Sequence, residues 1–297
     1  MRQSLINLAI KTLRATLSLP GEDFYERASR VISRALWHEQ WRHGGKHGAK
    51  SGWSLPDIVI RPADLGNGQS ADMFCIGEKA VFRAKKLLTK EPSTIKWLDR
   101  MTSDDVLWDI GANVGSYTLY AAIRRCCRVL AIEPSAANYY LLNKNIELNK
   151  LSRRVTALCA AATSGNGFGF LNLPNTAPGE GFSEFGRDRA GSGAGFQQGM
   201  VGVSLDALAQ EAIFPSPTFI KIDVDGLEQE VVKGARMLLR TGKVRSVLVE
   251  RDIGRPDLIQ ELNQEMAKHA FDLVETGMRS DRTPSVVNCI YDRRGVL

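Results

Sequence analysis

The feature that most constrains the fold is an alternation that begins at Val106. Five near-continuous apolar runs read as strands: "VLWDI", "RVLAIE", "RVTALCA", "TFIKIDV" and "RSVLVE". Between them stand segments with helical spacing: "GSYTLYAAIRR", "SAANYYLLNKNIELNK", "SLDALAQEA" and "LEQEVVKGARMLLRTG". Strands apolar on both faces need cover on both faces, which calls for a mostly parallel sheet between helices. The right-handed crossover rule makes this a doubly wound α/β sheet with ligands at the carboxyl ends of the strands. "FDLVETG" and "SVVNCIYDRR" follow with no helix between them. They should close the sheet as an antiparallel hairpin, giving seven strands.

The rest of the chain attaches to this sheet. Residues 1–50 read as two helices and a Gly-rich linker, "HGGKHGAKSG", whose His43 and His47 are more readily solvated than metal-bound. Residues 51–297 then form one domain. Within it, "DIVIRP", "DMFCIG" and "KAVFRA" suggest a small antiparallel β element, and "EPSTIKWLDRM" a short helix led by Pro92. Residues 163–202 are rich in Gly and polar residues and too long for a plain connection, which suggests a lid.

Composition excludes several classes. With 43% hydrophobic and 24% charged residues the chain is an ordinary soluble type, and no apolar run is long enough to span a bilayer. The net charge of +6 is spread along the chain rather than gathered into a basic, aromatic-rich patch, which argues against nucleic acid as partner. The five cysteines contain no CxxC pair and read as buried thiols in a reducing, cytoplasmic setting. The amphipathic start, "MRQSLINLAIKTLRATLSLP", fits a helix docked on the domain better than one lying on a membrane.

The chemistry is concentrated in "VLWDIGANVGSYTLYAA". Asp109, Gly111 and Gly115 stand where a strand turns into a helix, a place that favours an anionic group. That anion is a pyrophosphate in a dinucleotide fold and the methionine carboxylate in an S-adenosylmethionine fold. Glu133, about two dozen residues on in "RVLAIEPS", can accept from both ribose hydroxyls in either class. Asn113 separates them, because it replaces the middle glycine that a pyrophosphate needs. A nicotinamide-dependent oxidoreductase is therefore disfavoured, and a binding protein that has kept the fold without catalysis remains a further reading.

Together, "VLWDIGANVGSYTLYAA", "RVLAIEPSAANYYLLNKNIELN", "VTALCAAATSG" and "FIKIDVDGLEQEVVKGARMLL" resemble the FkbM-type methyltransferases over residues 85–252. The resemblance implies a Rossmann-like class I, S-adenosylmethionine-dependent enzyme acting on sugar or other small-molecule hydroxyls. The family often has K-I-D-V-E-G-x-E where this chain has Asp225 and then Glu228. Asp109, Gly111, Ala112, Asn113, Gly115, Glu133, Pro134, Ala160 and Ala161 are the expected cofactor residues. Asp223 and Glu250, at the ends of adjacent strands, are the expected catalytic pair, with Asp223 as base. Lys221, Asp223 and Asp225 should share a strand face. Two carboxylates without a third ligand are too few for a metal, so none is assigned.

Overall fold

A computed structural model of the protein describes residues 58–181, 183–186, 195–278 and 286–295. The N-terminal helices, their linker and any membrane contact they make lie outside the described residues, as do Phe182 and residues 187–194 of the expected lid. In chain order the chain forms β1 (Ile58–Gly66), β2 (Gln69–Ile76), α1 (Gly77–Lys85), α2 (Leu87–Lys90), α3 (Pro92–Leu98) and β3 (Val106–Ile110). Next come α4 (Ser116–Leu119, continued by a π turn over Tyr120–Arg124), β4 (Arg128–Ile132), α5 (Ala136–Leu148), β5 (Val155–Leu158), β6 (Ala161–Ala162), β7 (Gly167–Leu173), β8 (Glu184–Gly186) and β9 (Phe196–Val203). The chain then continues with α6 (Leu205–Gln210), β10 (Phe219–Ile222), α7 (Glu228–Lys233), α8 (Arg236–Arg240), β11 (Ser246–Asp252), α9 (Pro256–Lys268), β12 (Phe271–Met278) and β13 (Val286–Arg293).

Seven strands make one sheet in the order β12-β13-β11-β10-β3-β4-β5. β13 runs antiparallel to both its neighbours, and the other pairs that join β11 to β5 are parallel. This is the expected doubly wound sheet with its closing hairpin. Two cores explain why its strands read as unbroken apolar runs. Leu107, Val129, Ala131, Phe219 and Leu248 pack on one face, and Trp108, Ile110, Leu130, Ile220 and Val249 on the other.

The β1–β2 hairpin turns through Asn67 and Gly68, both at positive φ (52° and 74°), the requirement of a tight hairpin turn. It is fixed to α5 by side-chain amides: Phe74 N donates to Asn145 Oδ1 at 2.6 Å, and Asp72 N to Asn149 Oδ1 at 3.0 Å. Cys75, Cys127 and Cys289 are buried thiols, as expected, whereas Cys126 is exposed. Burial pushes Cys75 and Cys127 up to about 12, so both stay protonated and unreactive.

Four local expectations are corrected. "KAVFRA" lies in helix α1, not in a strand, since Ala80 and Ala84 are buried one turn apart; a run so short cannot separate the two periods. The region read as a lid loop contributes three strands, β7, β8 and β9, to a four-stranded sheet, β6-β9-β7-β8. Its glycines hid the alternation, and they are there for space: a Cβ on Gly169 or Gly202 would meet the Phe185 ring at 2.8–2.9 Å. The helix expected over 227–242 breaks in two at Gly234, where a Cβ would collide with the Thr163 carbonyl oxygen. Helix α9 arises in a stretch to which the sequence reading gave no element, with Leu262 and Met266 buried at helical spacing after Pro256.

Gly66 and Gly111 share a φ of +81° but differ in surroundings. A Cβ on Gly66 meets open space, whereas on Gly111 it would collide with the backbone carbonyl of Asp223. Gly66→Ala should cost about 1 kcal/mol, the usual price of the left-handed region, and Gly111→Ala more than about 3 kcal/mol. Denaturant unfolding of the two variants measures the difference, and equal costs would show that the β3–β10 approach is not tight.

Candidate active site

A cleft of about 610 Å³ opens over the carboxyl ends of the parallel strands. It lies where chain order reverses: β3 is followed on one side by β4 and β5, and on the other by β10 and β11. Ligands of doubly wound sheets bind at such a point.

On one side the chain leaves β3 through Gly111 (φ +81°), Asn113 (φ 53°) and Gly115 (φ +88°) into α4. Asparagine tolerates that left-handed backbone better than most residues. Gly115 brings the helix close to α5, since a Cβ would sit 2.6 Å from Leu142 Cδ1. The space Gly111 leaves is filled by the chain itself, at the Asp223 carbonyl, and not only by a ligand. Asn113 N donates to Glu133 Oε2 at 2.8 Å, and Ser135 N donates to Oε1 at 2.8 Å. Glu133 is buried on the cleft floor. Burial raises its carboxyl to about 7, although the two amides favour the ionised form.

Of the expected cofactor residues, Gly111, Asn113, Glu133, Pro134, Ala160 and Ala161 line the cleft. Asp109, Ala112 and Gly115 stand behind it. Asp109 Oδ2 accepts from Thr118 Oγ1 at 2.6 Å, which ties β3 to α4, and its Oδ1 lies 4.0 Å from Lys221 Nζ. Asp109 thus supports the turn from beneath.

On the other side, β10 and β11 are paired so that Ile222 faces Val249, and the next step brings Asp223 beside Glu250. The Glu250 carboxyl lies within hydrogen-bonding reach of Asp223. Lys221 Nζ donates to Asp223 Oδ2 at 2.8 Å. Burial pushes the Asp223 carboxyl up, but the Lys221 ammonium, the Glu250 bond and Lys90 outweigh it and hold it well below the usual carboxylate range. Asp225 is corrected: β10 ends at Ile222, Asp225 adopts φ 54°, and its Oδ2 accepts from Ser183 N at 3.3 Å instead of sharing a strand face.

The sequence reading missed Glu91, at the start of α3. One oxygen each of Glu91, Asp223 and Glu250 lie within 4.8 Å of one another, the third carboxyl that a metal reading lacked. Two of these carboxyls already pair with an ammonium, Glu91 with Lys90 at 2.7 Å and Asp223 with Lys221 at 2.8 Å. Nothing in the sequence around Glu91 marks it, because only folding brings α3 to the strand ends. Also missed was the strap of residues 177–181. Glu180 O accepts from Asn113 Nδ2 (2.7 Å) and Asn138 Nδ2 (3.0 Å), Gly179 N donates to Asn138 Oδ1 (2.7 Å), and Lys79 pairs with Glu180.

A seven-stranded sheet with its last strand antiparallel, a glycine turn after one central strand and an acid ending the next defines a class I methyltransferase. Residues 109–273 match the Methyltransferase FkbM domain, and the chain belongs to that family. It is 26% identical over 189 residues to the hexuronic acid methyltransferase AglP of Haloferax volcanii, covering 63% of this chain and 73% of that protein. A shorter match, 35% identical over 88 residues, is to a tRNA (guanine(37)-N(1))-methyltransferase of Anopheles gambiae and spans 30% of this chain and 15% of that one. Among solved structures, the methyltransferase FkbM of Methylobacillus flagellatus KT aligns with 16% identity and a TM-score of 0.47, over 96% of this chain and 58% of its own. Among the described residues no helix is long and apolar enough to cross a membrane.

Glu133 makes stability depend on pH. Its folded value, about 7, lies above the ordinary glutamate value of 4.5, so its contribution is fully present below pH 4.5 and is lost as pH rises through 7. Between pH 5 and 8 the wild type should lose on the order of 3 kcal/mol relative to Glu133→Gln. Urea unfolding of both proteins at the two pH values measures this, and a gap that ignores pH would contradict it.

Proposed function

We propose that the protein transfers a methyl group from S-adenosylmethionine to a hydroxyl oxygen of a sugar or similar small acceptor. The observation that carries this reading is the Glu133 carboxyl on the cleft floor, bonded to the amide of the glycine turn itself. A volume of about 610 Å³ suits a nucleoside joined to an amino acid, and the small side chains of Ala160 and Ala161 leave room for a flat ring. The cleft residues therefore fit the donor. Similarity to a hexuronic acid methyltransferase supports a sugar acceptor. "DVDG" after β10, where base-modifying N-methyltransferases carry an Asn/Asp-Pro-Pro-aromatic motif, counts against a nucleic-acid base.

The bound sulfonium supplies a methyl group already activated for displacement, so alignment is the main task left to the chain. Ionised Glu133 accepts from the ribose hydroxyls. Asp223 accepts the hydrogen bond of the acceptor hydroxyl and takes its proton late. With Lys221 beside it, Asp223 is a weak base, so orientation of the hydroxyl is the larger part of its role. Glu250, beside Asp223, keeps that carboxylate aimed into the cleft.

Three outcomes test this reading. Calorimetric titration should detect S-adenosylmethionine and not NAD, with affinity falling as pH drops through about 7 and Glu133 gains its proton. Asp223→Asn should bind the donor nearly normally and lose about two orders of magnitude in turnover; wild-type turnover would remove Asp223 from the mechanism. Limited proteolysis should cut first within residues 175–200, and donor should slow the cutting. A segment that resists protease and ignores donor would count against these residues covering the bound donor.

A further inference from the structure

Glu250 and Arg251 are neighbours on β11, so their side chains leave the strand on opposite faces. Both reach the cleft, which wraps around the strand end. On the Glu250 side lies Asp223. On the other side Arg251, only 4% exposed, makes a single guanidinium hydrogen bond among the described residues, from Nη1 to Glu228 Oε2 at 3.2 Å. Its Nε is buried with no partner among them. Glu228 is already engaged, since its Oε1 accepts from Gly226 N at 2.9 Å. A buried guanidinium with unmet donors is costly unless something supplies acceptors.

The surrounding charges point the same way. Arg255, 59% exposed, stands just before the thirteen-residue helix α9 and also lines the cleft, with Asp257 Oδ2 at 3.4 Å. The rim carboxylate of Asp252 is turned back onto Gly254 N at 2.8 Å. This end of the cleft therefore presents two guanidinium groups, and the acids around them, Glu228, Asp252 and Asp257, are each engaged by a guanidinium or a backbone amide.

We infer that the Arg251 end of the cleft binds an anionic group of the acceptor, a carboxylate or a phosphate, with Arg251 as anchor and Arg255 at the rim. Calling that ligand the acceptor rests on the methyl-transfer reading above. A planar oxyanion offers a guanidinium the paired acceptors that Glu228 alone does not provide. The acceptor then lies across the end of β11, its hydroxyl beside Asp223 and its anion beside Arg251. Such an arrangement selects acidic sugars over neutral ones.

Binding of glucuronate, glucose 1-phosphate and methyl glucoside is measured by calorimetry on the full chain saturated with S-adenosylhomocysteine. Methyl transfer to the same three is measured in parallel. Wild type should bind one of the anionic sugars at least about tenfold more tightly than the neutral glucoside, and which one distinguishes carboxylate from phosphate. Arg251→Gln should erase that preference, Arg255→Gln should weaken it several-fold, and donor affinity should be unchanged in both. Equal or undetectable binding of all three by wild type, or a preference that survives Arg251→Gln, overturns the inference. If Arg251→Gln does not fold, Arg255→Gln and added salt decide, because a preference insensitive to both is not ionic. Anion-selective binding without methyl transfer to any of the three supports the site and counts against the proposed reaction.

Discussion

The Lys221 ammonium holds the two halves of the sheet together at the point where its order reverses. It is buried, 2.8 Å from Asp223 and 4.0 Å from Asp109, and lies over the Tyr117 ring at 5.3 Å. Burial alone would strip its proton, but the surrounding carboxylates outweigh that and raise its affinity for it. In register, Lys221 faces Asp109 across the β3–β10 seam, so this cation joins the strand that feeds the glycine turn to the strand that ends in Asp223. Asp109 passes the constraint to α4 through Thr118. Buried charges of this kind are tolerable only when each has its partner, which makes the seam intolerant of change on either side.

Around that seam the cleft is assembled from parts remote in sequence. Helix α1 forms one wall with Lys79, Phe82 and Arg83, and Arg83 Nε donates to Gly179 O at 3.0 Å. The strap of residues 177–181 ties that wall to Asn113 and Asn138, so one segment holds both the turn and the start of α5. The inserted sheet β6-β9-β7-β8 anchors both ends of the strap's parent segment, with Phe185 seated over Gly169 and Gly202. The side of the glycine turn is thus tied together mainly by neutral hydrogen bonds. The ends of β10 and β11 are held by charge: Lys221, Lys90 and Arg251 against Asp223, Glu91 and Glu228.

The sequence by itself determined the sheet, the turn and the acid at its floor. Burial on both faces leaves strands with no polar alternation, and a backbone at positive φ restricts Gly111 and Asn113 to residues that tolerate it. Such constraints act within a few residues and are written in residue type. Tertiary structure alone decided which charges meet. Glu91 joins Asp223 and Glu250 only because α3 packs against the strand ends, and Asp109 lies behind the cleft only because Lys221 faces it across the seam. It also decided that the glycine-rich insertion carries strands, since two of its glycines, Gly169 and Gly202, answer to the Phe185 ring rather than to a turn. Periodicity reports how each segment is buried, but the distance between two carboxyls more than a hundred residues apart is set by packing, and no local pattern records it.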